Sequence, residues 1–167
     1  GNTNFAVGAS LLGVKPVVDV ISADFLYRTL DSICNTAAKL NFVLGPYRTP
    51  STIVIRAEFL TGGPTTGQRP EALFTHIPGL RVVIPSTPHD AYGLMKSALE
   101  TPGVTLYFED RMISDAGPWA DWDLATGSAV DFGLAHYRRG DVSVITYGLM
   151  RQRAEALDCG LVDLTSI

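Results

Sequence analysis

"RVVIPSTPHDAYGLMKSALETPGVTLYFE", Arg81 to Glu109, holds two apolar runs separated by one amphipathic stretch. "RVVIP" reads as a buried strand. "PHDAYGLMKSALE" places Tyr92, Leu94, Met95 and Ala98 so that they face inward from one helix. "VTLYFE" (104–109) reads as the next strand. Strands this continuously apolar, joined through a helix, belong to a parallel sheet covered on both faces.

The same alternation extends on either side. "VVDVI" (17–21) after Pro16 and "TIVIR" (52–56) are further strand candidates. Between them "ADFLYRTLDSICNTAAKLNFV" sets Leu26, Leu30, Ile33, Ala37 and Leu40 at helical spacing, with Asp24 available as a cap. "RPEALFTHI" predicts a short helix that tolerates Pro70 in its first turn. The expected fold class is therefore α/β, an open doubly wound parallel sheet, since there are too few units to close a barrel.

From Asp110 to about Ser128 the chain turns acidic, contains Gly and Pro, and carries both tryptophans, as a connecting segment does. "DFGLAHYRRGD" resembles a hairpin, "VSVITYG" a buried strand, "LMRQRAEALD" a short helix and "LVDLTSI" a strand. This last stretch begins a second β-α-β unit. A unit with nothing beyond its second strand leaves apolar faces uncovered, so the chain is expected to stop inside a second domain.

Composition narrows the function classes. The 167 residues are 46% hydrophobic and 18% charged, enough to bury a core, and the formal net charge of −4 argues against a nucleic-acid surface. No apolar run reaches membrane-spanning length, and no basic-then-apolar leader opens the chain. Cys34 and Cys159 are expected to be separate thiols in a reducing compartment, which makes a soluble intracellular protein the default. The histidines and cysteines show no zinc spacing. "GGPTTGQ", Gly62 to Gln68, follows a strand as an active-site loop does, but lacks the terminal Gly-Lys-Ser/Thr of a phosphate-cradling loop and forms no dinucleotide fingerprint.

Three blocks, "NFAVGASLLGVKPVVDVISADFLYRTLDSICNTAAKL", "HIPGLRVVIPSTPHDAYGLMKSAL" and "FGLAHYRRGDVSVITYGLM", together resemble the β subunit of the decarboxylating component of 2-oxo acid dehydrogenase complexes. That family includes the pyruvate, branched-chain 2-oxo acid and acetoin enzymes. The resemblance implies a transketolase-like pyrimidine-binding domain over residues 1–125. Residues 126–167 then form a linker hairpin and the beginning of a C-terminal transketolase-like domain. It also implies thiamine diphosphate shared with an α-type subunit, magnesium on that subunit, a second β chain and a lipoyl acyltransferase component. The expected compartment is the cytoplasm, or the mitochondrial matrix in a eukaryote.

Residue by residue, Phe25 matches the family aromatic packed against the aminopyrimidine, and Ile21 the apolar residue beside it. Asp31 and Asn35, one turn apart, match positions read as helix-packing groups. The family glutamate that bonds the aminopyrimidine aligns just before Gly1. The family histidine of the substrate channel aligns with Thr66, whose hydroxyl does not titrate near neutrality. Gln68 and Glu71 match around it. His76 lies on the following helix, and His89 and His136 are expected at caps or on the surface. The resemblance also implies a structural potassium ion, for which Ile53, Ala98 and Leu99 would offer carbonyls. The usual Asp and Asn of that site are here Thr101 and Gly103. Three readings follow: a β-type subunit or fragment active only with an α-type partner, a non-catalytic relative, and another transketolase-like enzyme. In each, the isolated chain is expected to show no decarboxylase activity.

Overall fold

The computed structural model of the chain describes residues 1–45, 50–60, 62–115, 128–133 and 136–166. Its central feature is a four-stranded, all-parallel sheet of order β1-β2-β4-β3. The strands are β1 (Val17–Ser22), β2 (Thr52–Phe59), β3 (Leu80–Val83) and β4 (Gly103–Asp110). β2 and β4 stay in register along their full lengths, from Thr52↔Gly103 to Phe59↔Asp110.

Alternation along β2 separates two cores. Ile53, Ile55, Ala57 and Phe59 join Leu106, Phe108 and Val82 beneath Leu26, Ile33, Ala37 and Phe74. Val54, Tyr107 and Val83 face α3 (Pro88–Glu100), which buries Leu94 and Ala98 against them. The two-face covering expected of a doubly wound sheet is therefore present. Tyr92, expected to face inward, is 37% exposed. The buried stripe of α3 runs instead through Asp90, Gly93, Leu94, Ser97 and Ala98, one step round the helix.

The 23–43 region is helical but not one α-helix. It divides into a 3-10 helix (Ala23–Thr29), a π-helical turn (Ser32–Ala37) and α2 (Leu40–Leu44). Ser32, Ile33, Cys34, Asn35 and Thr36 are all poor helix formers, so the apolar stripe is kept while the hydrogen-bond ladder shifts. "RPEALFTHI" contracts to a 3-10 turn, Glu71–Leu73. Ile77 precedes Pro78, which disfavours α geometry, and Gly79 turns out at φ 90°. The chain also opens with α1 (Asn2–Ser10), and α4 (Arg111–Asp115) follows β4. The acidic segment with both tryptophans lies largely outside the described residues.

Beyond it stand β5 (His136–Arg138), β6 (Ser143–Thr146), α5 (Leu149–Glu155) and β7 (Gly160–Asp163). β6 and β7 pair in parallel, as a β-α-β unit requires. The hairpin expected over 131–141 is not seen in its described part, because β5 pairs antiparallel with β7. Gly140 packs so tightly on Gly160 that a Cβ would come within 2.2 Å of its nitrogen, which lets the chain run past β7. β6, expected to be buried, exposes Ile145 at 67%, and Val142 just before it at 70%, because it lies at the sheet edge.

Candidate functional site

The carboxyl ends of parallel strands are where loops can converge on a ligand. At that end of β1, Ile21 has φ 68° and is the only non-glycine with positive φ among the described residues. A β-branched residue resists this conformation, so neighbouring structure must hold it. Asp19 Oδ1 accepts the Ile21 N–H at 2.8 Å. Asp19 Oδ2 is in turn held by Arg56 Nη1 at 2.9 Å, and Arg56 Nη2 reaches Glu109 at 2.6 Å and Glu58 at 3.3 Å. The Glu109 contact, added to the charges of Asp19 and Glu58, outweighs burial and raises the Arg56 pKa, so its charge is permanent.

Ile21 and Phe25 come together on one open groove of about 290 Å³, with Asn2, Thr3, Asp19 and Arg28 on its other sides. Phe25 is 46% exposed and Ile21 64% exposed. The 3-10 start of the next element turns the Phe25 ring outward while Leu26 is buried.

Asp24 does not cap that element. Ser22 does, accepting the Asp24 N–H at 3.4 Å and donating its hydroxyl to Asp24 Oδ2 at 2.9 Å. This frees the Asp24 carboxylate to receive the backbone N–H groups of Gly67 at 3.1 Å and Gln68 at 3.2 Å. Burial pushes the Asp24 pKa up, but these hydrogen bonds together outweigh it and hold the carboxyl below its usual range. The glycine loop is thus tied to the start of the 3-10 helix by a residue 43 positions earlier. No local pattern in the sequence signals that pairing.

Within the loop, the Thr66 hydroxyl donates to Gly62 O at 2.6 Å. His76 is exposed, and none of the described contacts brings it to Thr66. Beyond the loop, Arg69 stacks 4.0 Å over the Phe59 ring and pairs with buried Asp110 at 2.7 Å. Glu71 is 5% exposed and accepts the Tyr147 hydroxyl at 3.1 Å. Burial and the Glu71 charge raise the Tyr147 pKa. Arg69, Glu71, Tyr147, Met150 and Arg153 border a second cavity of about 540 Å³.

Other expected residues lie elsewhere. Asn35 donates to Asp31 at 2.8 Å and accepts from Lys39 at 2.9 Å, an exposed chain along the helix surface. His136 Nε2 sits 3.2 Å from Asp90 Oδ1. Ile53 is buried in β2, and Ala98 and Leu99 occupy the last turn of α3, at the opposite end of the sheet from the groove. Cys34 and Cys159 are free thiols. Among the described residues there is no cluster of three metal-ligating side chains and no helix long and apolar enough to cross a membrane.

Comparison with known proteins agrees with this architecture. Residues 1–114 match the family described as "Transketolase, pyrimidine binding domain". The chain is 33% identical to the acetoin:2,6-dichlorophenolindophenol oxidoreductase subunit beta of Cupriavidus necator, over 97% of this chain and 51% of that protein. It is also 33% identical to the 2-oxoisovalerate dehydrogenase subunit beta of Bacillus subtilis, over 96% of this chain and 53% of the relative. The chain therefore spans about half the length of the curated relatives it matches. Among solved structures, a split-gene transketolase described as an inactive beta4 tetramer superposes with TM-score 0.74 at 20% identity, covering all of this chain and 55% of that one. Transketolase from Leishmania mexicana superposes with TM-score 0.65 at 16% identity, over 92% of this chain and 23% of its own. The matched residues contain the whole parallel sheet and both sides of the groove, and the chain belongs to the transketolase pyrimidine-binding domain family.

Proposed function

We propose that this chain provides the pyrimidine-side half of a thiamine-diphosphate site in a 2-oxo acid dehydrogenase of the pyruvate, branched-chain or acetoin type. The observation that carries the reading is the groove where strained Ile21 and outward-facing Phe25 meet. A flat ring gains dispersion and stacking against an exposed aromatic, and a preset apolar neighbour limits how the ring can tilt. The groove's open, mixed lining suits a ring that enters from a partner surface. When bound, thiamine diphosphate supplies the electron sink for decarboxylation. The chain's own part is to orient the ring through Phe25 and Ile21, and to hold the 62–68 loop near it through Asp24. The α-type partner holds the diphosphate with its magnesium, a second β chain completes the assembly, and the lipoyl acyltransferase component takes the acyl group.

The test reconstitutes the chain with an α-type subunit and titrates thiamine diphosphate by calorimetry. Phe25→Ala is expected to weaken binding at least tenfold, about 1.4 kcal/mol, without lowering Tm, because the ring is half exposed. Unchanged affinity would remove the reading. The isolated chain with thiamine diphosphate and magnesium is expected to release no carbon dioxide from pyruvate, 3-methyl-2-oxobutanoate or other 2-oxo acids, a result checked by trapping labelled gas.

Thr66 favours a second reading, a relative that keeps the fold without turnover. Its hydroxyl is spent on Gly62 O inside the loop and cannot exchange a proton near neutrality. A reconstituted complex that binds the cofactor but does not decarboxylate any of these acids supports this reading over the first.

A further inference from the structure

The Thr101 N–H closes the last turn of α3 on Ser97 O at 2.9 Å, and the helix ladder stops there. Residue 102 is proline and has no N–H for the Ala98 carbonyl, while the Gly103 N–H is directed to Ser51 O at 2.9 Å. The last turn of α3 contains no basic residue to meet the negative end of its dipole. A cation nevertheless stands there, supplied by β3. Arg81 Nη2 donates to Thr101 O at 3.1 Å and to Pro102 O at 3.0 Å. Its guanidinium carbon lies 4.8 Å over the Phe132 ring. Gly103, at φ 128°, leaves room for it: a Cβ there would sit 2.7 Å from Arg81 Nη2.

This is the turn for which the family resemblance implies potassium, and the residues present do not fit that ion. Thr101 and Gly103 replace the usual Asp and Asn, and the Thr101 carbonyl already receives a guanidinium N–H. We infer that the Arg81 guanidinium is the resident cation of the α3–β4 turn, and that this chain orders the turn without a monovalent metal. Both bonds come from Nη2 and satisfy adjacent carbonyls while the aromatic face shields the charge, so a metal entering this turn would meet a positive charge already attached to it. This inference is independent of the proposed cofactor reading, and it is tested without cofactor.

The experiment records thermal unfolding of the full chain in potassium, sodium and choline chlorides at equal ionic strength. The wild-type Tm is expected to be the same in all three, and Arg81→Met is expected to lower it by at least about 3 °C in each. A wild-type Tm that rises in potassium alone overturns the inference, and so does an Arg81→Met chain as stable as wild type. Should that variant not fold, Arg81→Lys is read on the same scale, since it keeps a charge but loses the fork. A lower Tm then supports the inference, and an unchanged one overturns it.

Discussion

Asp24 shows how one side chain can anchor a loop 43 residues further along the chain. Its carboxylate receives Gly67 N–H, Gln68 N–H and the Ser22 hydroxyl, while its neighbour Phe25 faces the groove. Gly67 and Gln68 are exposed, so on removal of Asp24 water can satisfy their amides and the loss stays moderate. Asp24→Ala is expected to cost about 1–2 kcal/mol, or roughly 2–8 °C in Tm at pH 7. The sign with pH follows from the depressed pKa. The stabilisation is complete above the ordinary carboxylate range and is lost as pH falls through the lowered value. Thermal unfolding of wild type and variant should therefore converge in strong acid. A gap as wide at pH 2 as at pH 7 contradicts this account.

Among the elements, the entry to β3 is the tightest joint. Gly79 has φ 90°, and a Cβ there would lie 2.1 Å from the Ala38 carbonyl oxygen, at the end of the π-helical turn. Backbone cannot move aside as a flexible side chain can. Gly79→Ala is thus expected to cost about 3 kcal/mol or more, read from the urea midpoint. Gly45→Ala, with nothing within 4 Å and no positive φ, should differ little from wild type and serves as its control. The irregular helix over 23–44 and the shortened 71–73 turn follow the same logic. Tertiary packing buries Leu26, Ile33 and Phe74 even where local propensity does not sustain an α-helix.

Across the whole molecule, the second sheet is joined to the first through Ser86. Its hydroxyl donates to fully buried Asp163 at 2.8 Å and accepts Gly148 N–H at 2.8 Å. Ile84 N–H to Thr165 O adds a backbone link at 2.9 Å, and Tyr147 to Glu71 a side-chain link. Burial raises the Asp163 pKa against the pull of Ser86 and Arg151, so deleting the hydroxyl leaves the buried carboxyl its Arg151 ion pair at 3.4 Å but not its hydroxyl donor. Ser86→Ala is expected to loosen the 143–166 unit by about 2–3 kcal/mol. Amide exchange there should quicken several-fold while β2 (Thr52–Phe59) keeps its protection. Equal acceleration in both would mean that the sheets unfold as one.

The alternation of apolar runs and amphipathic helix from Arg81 to Glu109 was sufficient to call for a parallel sheet, because burial on both faces leaves a pattern in the chain itself. Phe25 and Ile21 could be named as candidates only through family motifs, since an exposed and a buried aromatic look alike in sequence. The conformation of Ile21, the Asp24 anchor of the loop, the Arg81 cation at α3 and the Ser86 link between sheets left no local trace. Each depends on groups distant along the chain and set side by side by packing, and on polar atoms whose desolvation must be compensated where they happen to meet.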